Sequence, residues 1–302
     1  MGWRDGMSAE ALLALALFVL LCSCTLLPGV NLLAVWFLPL PLIVMAVCEG
    51  QAAVTALAGC AAVFLLLGGF GWSGLVFAVG MYAMARVTGE HVREGESPYP
   101  ALVFTTLLFV MLELVQLAQY RAAGHDIRAA VQAMFHTWLA ADQRILNLTP
   151  AEIRRLADER AQWVLMMLPG MIGVTAVALA WMNVGGARLL LQRRIPRFAL
   201  LIDGWNLPYA TVVLYVLLQC IILFGWVDNP SFWGQSVHNA SFVAGFLLGI
   251  QGLAWLWRRV SALGQVKYAW LFPLIALPLT LQFVGALYII IGMLDLMRQH
   301  RR

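Results

Sequence analysis

The sequence predicts an all-α fold, a polytopic bundle of about eight or nine transmembrane helices with an amphipathic helical insertion. Hydrophobic residues make up 62% of the 302 residues and charged residues only 11%, whereas soluble domains average about 45–50% and about 25%. Neither a charged residue nor a histidine occurs from Ala11 to Cys48 or from Gly50 to Ala85. Each of these stretches is long enough for two spans of about 20 residues. The alternating pattern of barrel strands is absent, so the spans are predicted to be helices.

We expect a single membrane domain over residues 1–302, built from three parts. N-terminal helical hairpins cover 1–119, an amphipathic insertion covers 120–161, and C-terminal helices cover 162–302. Very short links between the first four apolar segments predict antiparallel hairpins. The predicted spans are 11–27, 30–48, 51–69, 71–87, 100–119, 162–184, 207–226, 240–257 and 269–294.

The insertion differs from the rest of the chain because it carries six arginines and five acids. Between 127 and 139, apolar residues recur at helical spacing, while Arg128, Gln132 and His136 take the other face. This pattern predicts a helix lying in the membrane interface; the alternative is a solvated loop helix. The segment Thr149-Pro150-Ala151-Glu152 then predicts a capping box with proline at the first helical position. The helix that it starts is expected to run into the sixth span.

Arginine placement predicts the orientation in the membrane. The loops at 185–206 and 258–268 are basic, whereas the 227–239 loop between the neighbouring spans has no lysine or arginine. The positive-inside rule makes the two basic loops cytoplasmic, which also puts the N-terminus inside and the insertion outside. We therefore expect a bacterial cytoplasmic (inner) membrane protein. Nine spans would put the basic 298–302 tail outside. Three alternatives would explain this conflict. The positive-inside rule fails at the tail, or the proline-containing final span is re-entrant or a hairpin, or two early segments form one unit.

Catalytic signatures are missing from the sequence. It contains neither GxxxxGK[ST] nor HExxH, so we expect no enzyme activity, no cofactor and no metal. The GxSG pattern at Gly71–Gly74 resembles that of rhomboid proteases, but no histidine base lies at membrane depth, which favours a tight turn at Ser73. The five cysteines lie in apolar runs and are predicted to be small apolar residues. The net charge of +4 comes from arginines at span ends, so the expected partner is the lipid bilayer and not nucleic acid.

Polar residues within predicted spans are the candidate ligand-binding residues, because such groups are costly in lipid. They are Glu113, Asn183, Gln219 and Gln251. The alternative for each is a hydrogen bond that joins neighbouring helices. Asp295, near the end of the last span, is expected to pair with a basic residue at the helix end, one turn on.

Close helix packing is predicted at Gly245 and Gly249. These two residues form a GxxxG pattern within the eighth predicted span.

Short motifs of the C-terminal half resemble those of the YybS-like family of bacterial membrane proteins, domain of unknown function 2232. The motifs are Leu168-Pro169-Gly170, Asn183 with Arg188, Trp205-Asn206-Leu207-Pro208, Gln251-Gly252-Leu253-Ala254, and Gly292 with Asp295 and a basic tail. The N-terminal half fits the family in hydropathy and in its short links, but it carries no sharp motif. The family is distantly similar to the substrate-binding subunits of energy-coupling-factor transporters and to the cell-shape protein MreD.

The resemblance implies a helical bundle without its own ATPase site, but no particular reaction. Three functions follow from these observations. The first is a solute-binding or transport subunit that relies on an ATPase module or other membrane proteins for energy. The second is a structural or scaffolding protein of the cell envelope, and the third is an intramembrane enzyme acting on a lipid-like substrate.

Overall fold

The computed structural model describes residues 8–27, 30–94, 98–141, 148–191, 205–227, 231–262 and 282–300. All regular secondary structure in these residues is helical, which confirms the predicted all-α class. The chain forms two compact units. Unit 1 comprises Met1–Ala122 with Thr175–Leu201, and unit 2 comprises Ala123–Val174 with Ile202–Arg302.

The described residues of unit 1 form six helices and the end of a seventh. The six are α1 (Ala9–Cys24), α2 (Asn31–Phe37), α3 (Pro39–Cys48), α4 (Gln51–Leu67), α5 (Gly71–Glu94) and α6 (Pro98–Ala122). The predicted 30–48 span is therefore two helices. Pro39 has no backbone N–H to continue the α2 ladder, yet its fixed φ suits the first position of α3.

Helix α5 lies at the centre of unit 1 and packs against α3, α4 and α6. Gly89 makes the approach to α3 close, because a Cβ added there would lie 2.6 Å from the Cβ of Ala46. Between α5 and α6, the hydroxyls of Thr88 and Thr105 are 3.3 Å apart and form a buried hydrogen bond. Such interhelical bonds and small-residue contacts are the usual means of holding helices together in a membrane.

The helices α7 (Ile127–Ala141), α8 (Pro150–Leu191), α9 (Ala210–Leu223), α10 (Phe232–Ala262) and α11 (Gln282–His300) form unit 2, except that α8 ends in unit 1. The predicted capping box is present. Glu152 N–H donates to Thr149 Oγ1 (3.3 Å), and Thr149 N–H donates back to Glu152 Oε2 (2.7 Å). As predicted, the helix continues from there into the sixth apolar segment, over 42 residues or about 63 Å.

Helix α9 runs antiparallel to α10. At its start, Leu207 N–H donates to Gln251 Oε1 (3.1 Å), and near its end Gln219 Nε2 donates to Ser241 Oγ (2.9 Å). Moving forward along α9 therefore means moving backward along α10.

Helix α9 also runs antiparallel to α11. The Tyr209 ring stacks on His300 with centroids 4.5 Å apart, whereas further along α9 the Tyr215 ring and Ile289 both border Gly245. It follows that α10 and α11 are parallel, so their basic C-terminal ends lie at the same end of unit 2. In the predicted orientation, this arrangement would put the basic C-terminal end of α11 on the same side as Arg258 and Arg259. The segment that joins the two helices lies outside the described residues.

Among the residues that the structure describes, three helices are long and apolar enough to cross a membrane: Tyr99–Ala122, Pro150–Leu191 and Phe232–Val260. Shorter apolar helices are Ala9–Cys24, Leu33–Cys48, Gln51–Leu67 and Ala210–Leu223. Along α6, large apolar side chains are exposed in a stripe at helical spacing, as expected for a face that contacts lipid; the stripe consists of Val103, Leu107, Met111 and Leu114. The number of spans stays a prediction, and the predicted 269–294 span falls partly outside the described residues.

Candidate functional site

Asn183 in α8 is buried against the break between α2 and α3. Its Nδ2 donates to Trp36 O (2.9 Å) and to Leu179 O (2.9 Å). Trp36 O belongs to the last turn of α2, where carbonyls lack regular helical partners. Since both of these neighbours are acceptors, the side-chain nitrogen must face them. Asn183 Oδ1 then remains buried without a hydrogen-bond partner in the described part of the chain.

Glu113 in α6 lies one helical turn, about 6 Å, beyond Phe109. The centroid of the Phe109 ring lies 5.7 Å from that of the Trp36 ring. The Phe77 ring of α5 packs against the Trp36 ring in a T-shaped arrangement, with the centroids 5.1 Å apart. Glu113 Oε1 is buried and has no hydrogen-bond partner among the described residues. Two of the predicted residues, Glu113 and Asn183, thus belong to unit 1, and each has an acceptor atom without a partner in the part of the chain that the structure describes.

Gln219 and Gln251 belong to unit 2, and both have partners there. Gln219 bonds to Ser241 across α9 and α10. Gln251 accepts from Leu207 N–H and donates from Nε2 to Asp295 Oδ2 (2.7 Å). The geometry of both side chains matches the alternative expectation, in which intramembrane amides join helices.

Asp295 is the centre of a charged cluster in unit 2 and is only 8% exposed. Its Oδ2 accepts from Arg258 Nη2 (2.6 Å) and from Gln299 Nε2 (3.0 Å), in addition to Gln251. Arg258 Nη1 donates to Trp205 O (3.1 Å). The cluster therefore connects three of the sequence motifs described above. Sequence analysis assigned Arg258 only to a basic loop and expected Asp295 to pair within its own helix, because a contact between helices leaves no local pattern.

Gly245 and Gly249, the predicted packing residues, are both buried. A Cβ added at Gly245 would lie 3.2 Å from the Tyr215 ring and 3.4 Å from Ile289. Among the described glycines, Gly252 of α10 and Gly292 of α11 form the closest approach between two helices. A Cβ added at Gly292 would lie 3.0 Å from Gly252 N, and one added at Gly252 would lie 3.1 Å from Gly292 N. At Gly252 and Gly292 the backbones of α10 and α11 are in direct contact, and neither residue belongs to the GxxxG pattern of Gly245 and Gly249.

The side chain of Asn239 in α10 repairs an interruption in α8. Pro169 has no N–H to donate to the preceding turn. In a regular helix, Gly170 N–H would donate to Met166 O. Here both groups bond to the side chain of Asn239 instead. Gly170 N–H donates to Asn239 Oδ1 (2.6 Å), and Asn239 Nδ2 donates to Met166 O (2.8 Å). Sequence analysis did not select Asn239, because it placed this residue in the 227–239 loop, immediately before the predicted 240–257 span.

Ser73, within the GxSG pattern, donates its hydroxyl to Phe70 O in the first turn of α5. This bond agrees with the tight turn expected there. In the described ranges, no group of three or more histidine, cysteine, aspartate or glutamate side chains could hold a metal ion.

The family model described as predicted membrane protein (DUF2232) matches residues 15–296, nearly the whole chain. No curated protein and no solved structure matches.

Proposed function

Since the chain belongs to the DUF2232 family of predicted membrane proteins, we propose that it is a multi-pass membrane protein that binds a small solute within unit 1. The carrying observation is that Glu113 and Asn183, which both belong to unit 1, each keep a buried acceptor atom without a partner in the described residues. An unsatisfied buried polar atom costs about 1–3 kcal/mol. A solute that donates hydrogen bonds to these atoms would recover that free energy.

The proposed location is the bacterial cytoplasmic membrane, with the N-terminus inside. The parallel arrangement of α10 and α11 supports it, because the basic ends of both helices can then face the cytoplasm. On the opposite side we place α7 in the lipid interface. None of its residues is buried, and Trp138 is 60% exposed. Gln132 bonds to Asp158 of α8 (3.0 Å), five residues before the exposed Trp163.

The energy for movement of the solute would come from a partner, such as an ATPase module, since the sequence has no phosphate-binding loop. The resemblance to YybS-like proteins, and more distantly to energy-coupling-factor subunits and MreD, supports this arrangement by analogy only. A scaffolding role is the second candidate. It is favoured by the uncovered apolar side of α7, which could equally contact another membrane protein.

Native mass spectrometry after extraction in mild detergent tests the solute-binding proposal. We expect the wild-type protein to retain a small molecule that the Glu113→Gln variant loses. Thr106→Val is the matched control on the same helix, because the Thr106 hydroxyl bonds only locally to Leu102 O (2.8 Å); this variant should retain the solute. A wild-type protein without bound solute, or equal retention by Glu113→Gln, would contradict the proposed site.

A further inference from the structure

Large aromatic side chains are exposed at the turn between α9 and α10. Trp226 follows the end of α9, and Phe232 and Trp233 open α10; these three side chains are between 70% and 77% exposed. The antiparallel register described above brings the end of α9 beside the first two turns of α10. Trp226 and Trp233 therefore lie at the same end of this helical hairpin.

Helix α8 runs in the same direction as α10 where the two helices meet. Asn239 Nδ2 bonds on the N-terminal side of the contact, to Gln235 O of its own helix (2.7 Å) and to Met166 O of α8 (2.8 Å). Gly170, one turn on in α8, faces Phe242, because an added Cβ would lie 3.2 Å from the Phe242 ring. The contacts thus advance together along both helices.

Trp163 of α8 lies at a height similar to that of Trp233. Trp163 is seven residues before Gly170, and Trp233 is six residues before Asn239, which places both about 9–11 Å toward the same end of unit 2. The side chain of Trp163 is 47% exposed. Together with Trp226, these residues form an aromatic layer on unit 2 (Trp163, Trp226 and Trp233), to which three segments of the chain contribute.

Charge and length both fit this aromatic layer to the surface of a bilayer. No lysine, arginine, aspartate or glutamate lies between Trp233 and Arg258 in α10, whereas Arg160 precedes Trp163 by three positions in α8. Trp233 and Arg258 are 25 residues apart, or about 38 Å along the helix. A bilayer is about 30 Å thick in its hydrocarbon core and about 40–45 Å with its headgroups. The aromatic layer and Arg258 therefore fit opposite interfaces of one bilayer.

The exposed apolar side of α9 leads directly to the aromatic layer. Leu214, Leu217 and Phe224 recur at helical spacing and are between 51% and 63% exposed, as expected for a face that contacts acyl chains. The Phe224 ring stacks on Trp226 with centroids 5.5 Å apart. Indole rings, which are apolar but carry one N–H donor, suit the next zone outward, where acyl chains meet headgroups.

We propose that the turn between α9 and α10, together with Trp163 of α8, is inserted into the headgroup–acyl boundary of the predicted outer leaflet and anchors unit 2 to phospholipid there. The membrane boundary on α10 then lies at Trp233, and not at residue 240 as hydropathy indicated. Asn239 lies about 9 Å inside this boundary. Its bonds to α8 are needed at that depth, because no water reaches the hydrocarbon to satisfy bare peptide groups. The proposal requires no bound solute.

Tryptophan fluorescence of the full-length protein in phosphatidylcholine bilayers tests this depth. Subtracting the emission of Trp226→Phe/Trp233→Phe from that of the wild type isolates the two tryptophans. Lipids brominated near the headgroup end of the acyl chain should remove roughly twice as much of this emission as lipids brominated near the end of the chain, because interfacial indoles lie at headgroup level. Trp163→Phe should give the same order. Trp257→Phe is the matched control, because Trp257 is only 9% exposed and should respond to neither lipid.

Three results would overturn the proposal. Quenching of the difference emission by aqueous iodide, with little effect of either lipid, would put the turn in water. Stronger quenching by bromine at the end of the acyl chain would put it in the hydrocarbon core. Protection from iodide and from both lipids would show that a protein surface, such as a second copy of the chain, covers the turn. Since Trp163 lies outside the hairpin, its emission tests the depth even if the double variant misfolds.

Discussion

Replacing Gly292 with alanine should weaken the contact between α10 and α11. The added Cβ would press on the Leu248 carbonyl oxygen and lie 3.0 Å from Gly252 N. Backbone atoms cannot rotate away as a side chain can, so the two helices must separate. A gap of about 0.5–1 Å forfeits a quarter to a half of the dispersion energy of each contact, and overpacking of this kind costs about 1–3 kcal/mol.

The cost is partly offset because alanine favours a helix over glycine by about 0.5–1 kcal/mol. A net loss of about 1–2 kcal/mol corresponds to a Tm lower by about 2–3 °C in a chain of 302 residues, because the unfolding entropy is about 2.1 cal/mol/K per residue. Scanning fluorimetry in detergent measures it. Gly173→Ala in α8 is the control. A Cβ added at Gly173 would have no heavy atom outside its own helix within 4 Å. The two variants should shift the Tm in opposite directions, and a Gly292→Ala protein as stable as Gly173→Ala would refute the reasoning.

Three further substitutions test other contacts. Asn239→Leu should lower the Tm and speed hydrogen exchange at Gly170, because it leaves two backbone groups of α8 unsatisfied at about 1–3 kcal/mol each; unchanged exchange would contradict this. Arg258→Leu should lower the free energy of unfolding by about 2–4 kcal/mol, because the buried carboxylate of Asp295 loses its charged partner; the loss is somewhat less than for a fully buried pair. The double variant with Asp295→Leu should recover part of this loss. If the effects of the two substitutions are simply additive, the ion pair does not contribute as described. Thr149→Ala should cost about 1 kcal/mol and increase exchange in the first turn of α8 only, whereas a change elsewhere in the helix would not fit a capping role.

Hydropathy and local motifs predicted much of the helical structure. Helix α4 begins at Gln51, as the short link before it indicated, and the capping box placed the start of α8 at Pro150. The division of the 30–48 segment was not predicted, because apolar residues continue through Pro39 without interruption. Hydropathy reports whether a segment suits lipid, but it does not report whether the backbone hydrogen-bond ladder is continuous.

The site was less accessible to sequence analysis because its contacts join distant parts of the chain. Residue type alone selected Glu113 and Asn183, since polar groups are costly within spans. Which polar residues find partners depends on packing. Gln251 pairs with Asp295, 44 residues away, while the Asn183 oxygen remains unsatisfied among the described residues. A single sequence shows neither relationship.

The bond between α8 and Asn239 constrains how the protein is made. Gly170 and Asn239 are 69 residues apart in the chain. At about 5–20 residues per second, the ribosome needs about 3–14 s to synthesise the intervening chain. During that interval the opened turn of α8 has no asparagine to satisfy it, and bare peptide groups are costly in lipid. The opened turn of α8 is therefore completed only after the chain as far as Asn239 in α10 has been synthesised.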